Sequence, residues 1–321
     1  MKITASAPGK LMLAGSYAVV HGRPSVVTAV DQRIQVSVEL LKEPKLILEA
    51  PDLNVTSYTK DLSSLGEGDL PKSIRFAETL VKIFFHKFPQ NEGLKVTTKS
   101  DFSSQVGFGS SSAVTVALSQ ALAELYQVKL SKKDLFNLCY QAVIDVQGVG
   151  SGFDIASAIW GGTIYYVTPA KVIKEISVNK LPLIIAYTGK KADTPTLVKM
   201  INKKLKNNPQ KYNQIFDEIG KTADQTHQAL LNRDWKALGQ ALTKHHRVVS
   251  QLEVSCSELD KLVKVSIRAG AYGASLSGAG GGDCMLAVID DDHRSQVEQA
   301  IANVGGRVIN VGLNAEGVKI I

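Results

Sequence analysis

The chain has 321 residues, 44% of them hydrophobic and 21% charged, and its 37 Lys+Arg against 30 Asp+Glu give a formal net charge of +7. That length builds a sizeable core in one or two domains, and the balance is that of a folded protein, which excludes a disordered or low-complexity class. No apolar run is long enough to span a bilayer, and Met1–Pro8 lacks the apolar core of a signal peptide, so a cytoplasmic protein is expected.

Ile3–Ala7 alternates weakly and reads as a first strand, broken by Pro8-Gly9-Lys10 and resumed by Leu11–Gly15. Lys10 is thereby held between two strand-like segments beside a tight turn. A turn at Gly22-Arg23-Pro24 follows, then strands over Ser25–Val30 and Arg33–Leu40, the second alternating Ile34, Val36, Val38 and Leu40. Lys45–Glu49 pairs nearby, and Asp52–Gly68, polar and turn-rich, is expected to be a loop. The spacing of Ile74, Ala77, Leu80, Val81 and Phe84 predicts an amphipathic helix over Pro71–Phe88. Leu94–Thr98 is a strand leading into Gln105-Val-Gly-Phe-Gly-Ser-Ser-Ser-Ala113. The segment after it has helical spacing at Ala117, Leu118, Ala121, Leu122 and Leu125. Ser131 and Asp134 form a capping-box pattern ahead of another helix, which Gln147–Gly152 ends. A helical turn from Phe153 to Ile159 and a strand over Thr163–Val167 complete the first half.

Beyond Pro169 the pattern changes. A buried strand over Leu181–Tyr187 precedes three or four helices, at about Pro195–Lys206, Tyr212–Leu231, Trp235–Gln251 and Ser257–Ala269. Strands at Gly273–Leu276, Cys284–Ile289 and Gly306–Val311 flank a helix over His293–Val304. These features predict an α+β protein of two lobes, residues 1–169 and 170–321.

Gly107, Gly109, Ser110, Ser111 and Ser112 open directly onto a helix N-terminus. Unpaired N–H groups and the positive end of the helix dipole suit a phosphate there, and the Ser hydroxyls add donors and a candidate magnesium ligand. Neither a Walker pattern nor a dinucleotide-binding fingerprint is present. A further Gly-rich stretch, Ser277-Gly-Ala-Gly-Gly-Gly-Asp283, implies close approach of backbone to a ligand or a plain hairpin turn. The three cysteines, Cys139, Cys256 and Cys284, are far apart and suit reduced thiols, and no Cys/His set has zinc spacing. The lysines are scattered without interleaved aromatics, which disfavours nucleic acid and leaves a small anionic substrate as the partner that suits the basic charge. A monomer or homodimer is expected.

Three ordered segments carry a family resemblance: Ala7-Pro-Gly-Lys-Leu-Met-Leu-Ala-Gly15 with Tyr17, Val106–Ala113, and Ser277–Cys284. Together they resemble the three motifs of the GHMP small-molecule kinases, which include galactokinase, homoserine kinase, mevalonate kinase and phosphomevalonate kinase. The resemblance implies an N-terminal mixed α/β lobe that binds ATP, a C-terminal ferredoxin-like α+β lobe, and an active site between them. It also implies a phosphotransferase using ATP and Mg2+. Gly150-Ser-Gly-Phe-Asp154 resembles the family's catalytic-aspartate segment, and Phe153 and Asp283-Cys284 are similar to the phosphomevalonate kinases. The acceptor so implied is 5-phosphomevalonate, with mevalonate or another small molecule as the alternative and a non-catalytic sensor disfavoured by the presence of Lys10, Asp154 and the serines. One departure is Ser16, where relatives usually carry Glu, and Val20-His21-Gly22 is similar to mevalonate kinase.

By this resemblance, the Gly107–Ser112 loop would wrap the ATP phosphates with Ser111 on magnesium. Asp145 is either a second metal ligand or a solvated helix carboxylate. Lys10 would bridge donor and acceptor oxygens, and Asp154 would act as base or orient Lys10 according to the acceptor. The substrate side would draw on Lys10, Ser16, Tyr17, His21, Ser151, Asp154, Lys190, Gly280 and Gly281.

Overall fold

Alternating burial along the long second strand organises the first half of the chain: Ile34, Val36 and Val38 point into the core while their neighbours are partly exposed. The computed structural model describes residues 1–71, 74–101 and 107–321, so Gln105 and Val106 of the phosphate-loop stretch lie outside the described residues. The N-terminal elements are β1 (Lys2–Ala14), β2 (Ser25–Leu41), β3 (Lys45–Ala50), β4 (Val55–Asp61), α1 (Arg75–Lys87), β5 (Gly93–Ser100), α2 (Ser110–Leu125), α3 (Lys132–Gln147), α4 (Phe153–Trp160), β6 (Thr163–Val167) and β7 (Val172–Ile176). The C-terminal ones are β8 (Leu183–Tyr187), α5 (Thr194–Asn207), α6 (Pro209–Leu231), α7 (Trp235–Ser250), α8 (Ser257–Arg268), β9 (Gly273–Ser277), β10 (Cys284–Val288), α9 (Arg294–Ala302), β11 (Arg307–Val308) and β12 (Lys319–Ile320).

The first sheet runs β12-β1-β2-β5-β3-β4, with β6 pairing β2 and β7. The second is antiparallel, in the order β11-β8-β10-β9. One apolar core lies between the first sheet and α1–α4, and a second between the small sheet and α5–α9. In α2 the residues Ala113, Val116, Ala117, Leu118, Ala121 and Leu122 are all buried, as expected of a helix enclosed by α1, α3 and the sheet. The capping box of α3 is formed: Asp134 N–H donates to Ser131 Oγ at 3.2 Å and Ser131 N–H to Asp134 Oδ2 at 3.1 Å.

Three expectations are corrected. The first strand is not broken at Pro8-Gly9-Lys10; β1 is continuous, with a register shift between Pro8 and Gly9 that bends it without ending it. The Asp52–Gly68 stretch contains a strand, β4, at the sheet edge. Its burial alternates only weakly, so no apolar pattern marks it in the sequence. β4 is tied down by polar groups instead: the buried Glu78 carboxylate accepts from Lys60 Nζ at 2.9 Å and from Tyr58 Oη at 2.8 Å. The short strands β7 and β12, unanticipated and both on the C-terminal side of residue 169, belong to the first sheet.

Candidate active site

The bulge in β1 delivers Lys10 to the second glycine loop. Lys10 N–H donates to Phe108 O at 2.9 Å, and the side chain reaches back so that Nζ donates to Gly107 O at 3.0 Å. Gly109 precedes α2 at φ +81°, and a Cβ there would stand 3.0 Å from Lys10 Cε. The left-handed backbone and the lysine stem together require glycine at this position. Beyond it, the N–H groups of Ser110, Ser111 and Ser112 head a 16-residue helix whose first turn has no side-chain cap and no acidic residue. Ser110 is exposed, Ser111 half-buried and Ser112 buried, so the loop presents a row of donors to an anion.

The third glycine loop closes on the first two. Tyr17 Oη–H donates to Ala279 O at 2.6 Å, and Ser277 Oγ–H donates to Met12 O at 2.8 Å, joining β9 to β1. Tyr17 itself stands at φ +62°, a left-handed conformation that a non-glycine residue holds only where its surroundings fix it. Gly280 and Gly281 lie against Val254 and Leu197, and Gly281 N–H donates to Val254 O at 2.7 Å. Asp283 faces the phosphate loop, its Oδ2 beside Gly107, while Oδ1 accepts from Ala192 N–H at 3.0 Å. Its backbone N–H donates to Lys190 O at 2.7 Å, which seats the 188–193 connection on this loop. Cys284, next in sequence, is buried and its thiol is pushed up to about 12 by burial, so it packs rather than reacts.

Asp154 arrives from another direction, on the first turn of α4. Three hydroxyls fix the loop ahead of it: Tyr140 Oη donates to Gly150 O at 2.9 Å, and Tyr166 Oη and Thr168 Oγ1 each donate to Ser151 O at 2.6 Å. Ser151 is thus buried and held through its carbonyl. Although Asp154 as a residue is only half-buried, its Oδ1 is enclosed and has no hydrogen-bond partner among the described residues. Burial pushes this carboxyl above the ordinary aspartate range, and the Lys10 ammonium pulls it partly back. Lys10 Nζ lies 5.5 Å from the centroid of the Phe153 ring. The ammonium and carboxylate interact across the cleft without closing an ion pair, since Nζ is engaged by Gly107 O.

Lys10 thus touches the Gly107–Gly109 loop and lies beside Phe153 and Asp154, Asp283 lies beside Gly107, and Tyr17 is bonded to Ala279 next to Gly280 and Gly281. Other candidates lie differently. Ser16 is buried at 1% exposure with its hydroxyl on Met12 Sδ at 3.5 Å, so it packs inward where a Glu would have been expected to reach substrate. His21 stacks on Phe216 of α6, with ring centroids 4.3 Å apart, and burial and Arg23 both lower its pKa. Lys190 contributes its carbonyl to Asp283, and its side chain is exposed. Asp145 is exposed on α3, accepts from Gln141 Nε2 at 2.6 Å, and lines a cavity of about 710 Å³ with Arg75, Thr79, Lys82 and His86. Asp283 is the site residue that sequence reasoning listed only as a motif letter. Its chemistry becomes visible once its neighbours at Gly107 and Ala192 are known.

The family model described as GHMP kinases N terminal domain matches residues 75–162, and that described as GHMP kinases C terminal matches residues 226–307. Mevalonate kinase of Pyrococcus furiosus is 31% identical over 332 residues, covering 100% of this chain and 98% of that protein. The chain belongs to the GHMP kinase family. As a GHMP kinase it is a phosphotransferase, and its two-lobed α+β fold is that of the family. The crystal structure of Methanococcus jannaschii mevalonate kinase superimposes with a TM-score of 0.80 at 24% identity, covering 98% of each chain. Phosphomevalonate kinase of Streptococcus pneumoniae, in complex with phosphomevalonate and AMPPNP, gives 0.79 at 17% identity, covering 97% of this chain and 99% of that one. At those identities the two structures bear on fold alone. The full-length relative is named for mevalonate, which backs the alternative acceptor over the 5-phosphomevalonate that the motif details implied. Among the described residues no helix is long and apolar enough to cross a membrane.

Proposed function

We propose that this GHMP kinase transfers the γ-phosphoryl group of ATP to the primary hydroxyl of mevalonate. The observation that carries this reading is the enclosed, unpartnered Oδ1 of Asp154 beside Lys10. A buried carboxylate oxygen without a donor is costly, and an acceptor alcohol brought against this carboxylate would supply a donor and then give up its proton to it. A phosphate monoester brings further negative charge toward that carboxylate and needs no base, because its second pKa of about 6 leaves an anionic oxygen at neutral pH. The P. furiosus relative, named mevalonate kinase and matched over 98% of its length, supports the same choice.

The roles follow from what each group touches. The open N–H groups and hydroxyls of Ser110–Ser112 would bind the ATP phosphates. Lys10, held at the mouth of that loop by Gly107 O, would neutralise charge on the oxygens between donor and acceptor. Asp154 would accept the hydroxyl proton, and Tyr17 would fix the acceptor-side turn by its bond to Ala279. The cavity between α1 and α3 has a volume suited to the nucleoside portion. Magnesium would come with ATP and supply charge neutralisation on its phosphates. Among the described residues no group of three or more His, Cys, Asp or Glu could hold a metal, which fits an ion carried mainly by phosphate oxygens and water. Ser111, at the head of α2, would be the protein group to join it. Asp145, bonded to Gln141, would need to turn away from that partner to do so.

An acceptor panel tests the proposal: ADP release measured with ATP, magnesium and, in turn, mevalonate, 5-phosphomevalonate, homoserine and galactose. Mevalonate should give a kcat/KM at least about tenfold above any other acceptor, since each polar group of the acceptor pocket left unpaired by a misfitting substrate costs about 1–3 kcal/mol. Preferential turnover of 5-phosphomevalonate would restore the acceptor implied by Phe153 and Asp283-Cys284.

A further inference from the structure

The first motif leaves β1 at Gly15, and the group that holds it there comes from the other lobe, 230 residues away. His245 of α7 is fully buried, and its Nε2 accepts from Gly15 N–H at 3.1 Å. The opposite ring nitrogen, Nδ1, is 2.9 Å from Ser275 Oγ on β9. Because a backbone N–H can only donate, Nε2 carries the lone pair and the ring proton sits on Nδ1, donated to Ser275. Ser275 Oγ–H continues to Leu276 O at 3.1 Å, so every member of this chain is satisfied. His246 anchors the same helix to the same strand, its Nδ1 accepting from Leu276 N–H at 3.3 Å and its Nε2 lying 3.2 Å from Asp260.

Gly15 is an exacting place to attach such a group. Its φ is +105°, and a Cβ there would lie 2.5 Å from Ser25 Cβ and 2.6 Å from its Cα. The peptide cannot shift toward β2, so the histidine fixes its remaining freedom. Two residues on stands Tyr17, at φ +62° with its hydroxyl on Ala279 of the third glycine loop. The turn from Gly15 to Tyr17 is thus clamped at both ends by the C-terminal lobe. One clamp is the buried imidazole of His245 and the other the carbonyl of Ala279, which accepts from the Tyr17 hydroxyl.

We propose that His245 is a positioning residue for phosphoryl transfer: through Gly15 it sets the register of Tyr17 and of the acceptor-side turn against the third glycine loop. The proposal rests on the kinase reading above for what is being positioned, while the clamp itself is a property of the chain alone. A residue that merely fills space behind β1 would tolerate any polar side chain of similar size. A residue that acts through Nε2 requires an acceptor at that atom.

Two variants separate these cases. In H245Q the amide oxygen can take the place of Nε2 and keep the bond to Gly15. In H245N the shorter amide reaches the Nδ1 position, keeping Ser275 and abandoning Gly15. With 15N-labelled full-length protein, the wild type should show the Nδ1–H tautomer of His245 and slow exchange of the Gly15 amide; the slow exchange should be retained in H245Q and lost in H245N. In steady-state assays H245N should lose about tenfold in kcat/KM for the acceptor with KM for ATP little changed, and H245Q should recover most of it. Equal activity and equal Gly15 protection in the two variants, or an Nε2–H tautomer in the wild type, would overturn the proposal. If mevalonate proves inert and another acceptor is used, the acceptor assignment fails. The tautomer and amide-exchange results still decide the role of His245.

Discussion

Replacing Asp154 by asparagine should lower kcat with an alcohol acceptor by about 10²–10⁴-fold, the range for loss of a positioned general base, and should raise the melting temperature at neutral pH. The two effects share one cause. Burial holds the carboxyl above its unfolded value, with Lys10 opposing, and leaves Oδ1 without a partner. Below the unfolded pKa both states carry the proton and no penalty exists. As pH rises through the folded pKa, the folded chain must enclose the charged form, and stability that was present in acid is lost. Asparagine removes that charge. The acid limb of the wild-type kcat profile should therefore lie above the ordinary carboxylate range and should flatten in D154N. A D154N protein that is both inactive and less stable would mean that Asp154 supports the fold rather than the chemistry. Thermal unfolding followed by circular dichroism, beside a pH–rate profile, separates the outcomes.

Lys10→Met should cost about 10²–10³-fold in kcat, as for removal of one donor that stabilises developing charge. The lysine is bonded to Gly107 O, lies against Gly109 and faces Asp154, so its loss also has a signature beyond rate. Without the ammonium, the burial of Asp154 is left unopposed among the described residues, and the residual acid limb should move to higher pH. An unmoved limb with reduced kcat would place Lys10 on the phosphates alone. An unchanged kcat would remove it from the reaction.

Much of this site was legible because the chemistry sits in local motifs. Pro8-Gly9-Lys10, Gly107–Ser112 and Gly150–Asp154 each carry glycine where the backbone must turn or come close, and such signals survive without knowledge of the fold. The same local logic gave the capping box of Ser131 and Asp134 and the four helices α5–α8. What the sequence concealed depends on partners distant along the chain. His245 reads as a helix residue beside another histidine until Gly15 is found opposite Nε2. Ser16 reads as a substrate residue by its place in the motif, yet its hydroxyl turns to Met12. Strand β4 was invisible because an edge strand with exposed faces needs no apolar alternation; its anchor is Glu78, seventeen or more positions away in sequence. The acceptor was the hardest to read. Phe153 and Asp283 pointed to a phosphorylated one, but in the fold Phe153 lies beside the Lys10 ammonium and Asp283 ties Ala192 to the phosphate loop. Neither contact by itself counts the charges on a substrate.

The most direct test of the central claim is a competition. Wild-type enzyme, magnesium and limiting ATP are given an equimolar mixture of mevalonate and 5-phosphomevalonate, and the products are followed by 31P NMR. A base set against an alcohol predicts growth of the phosphomonoester signal as ATP is consumed, with no diphosphate doublets beyond those of the ADP released. A second pair of coupled doublets, from an acceptor diphosphate, appearing as the phosphomonoester signal falls would contradict the account and assign Asp154 to orienting Lys10.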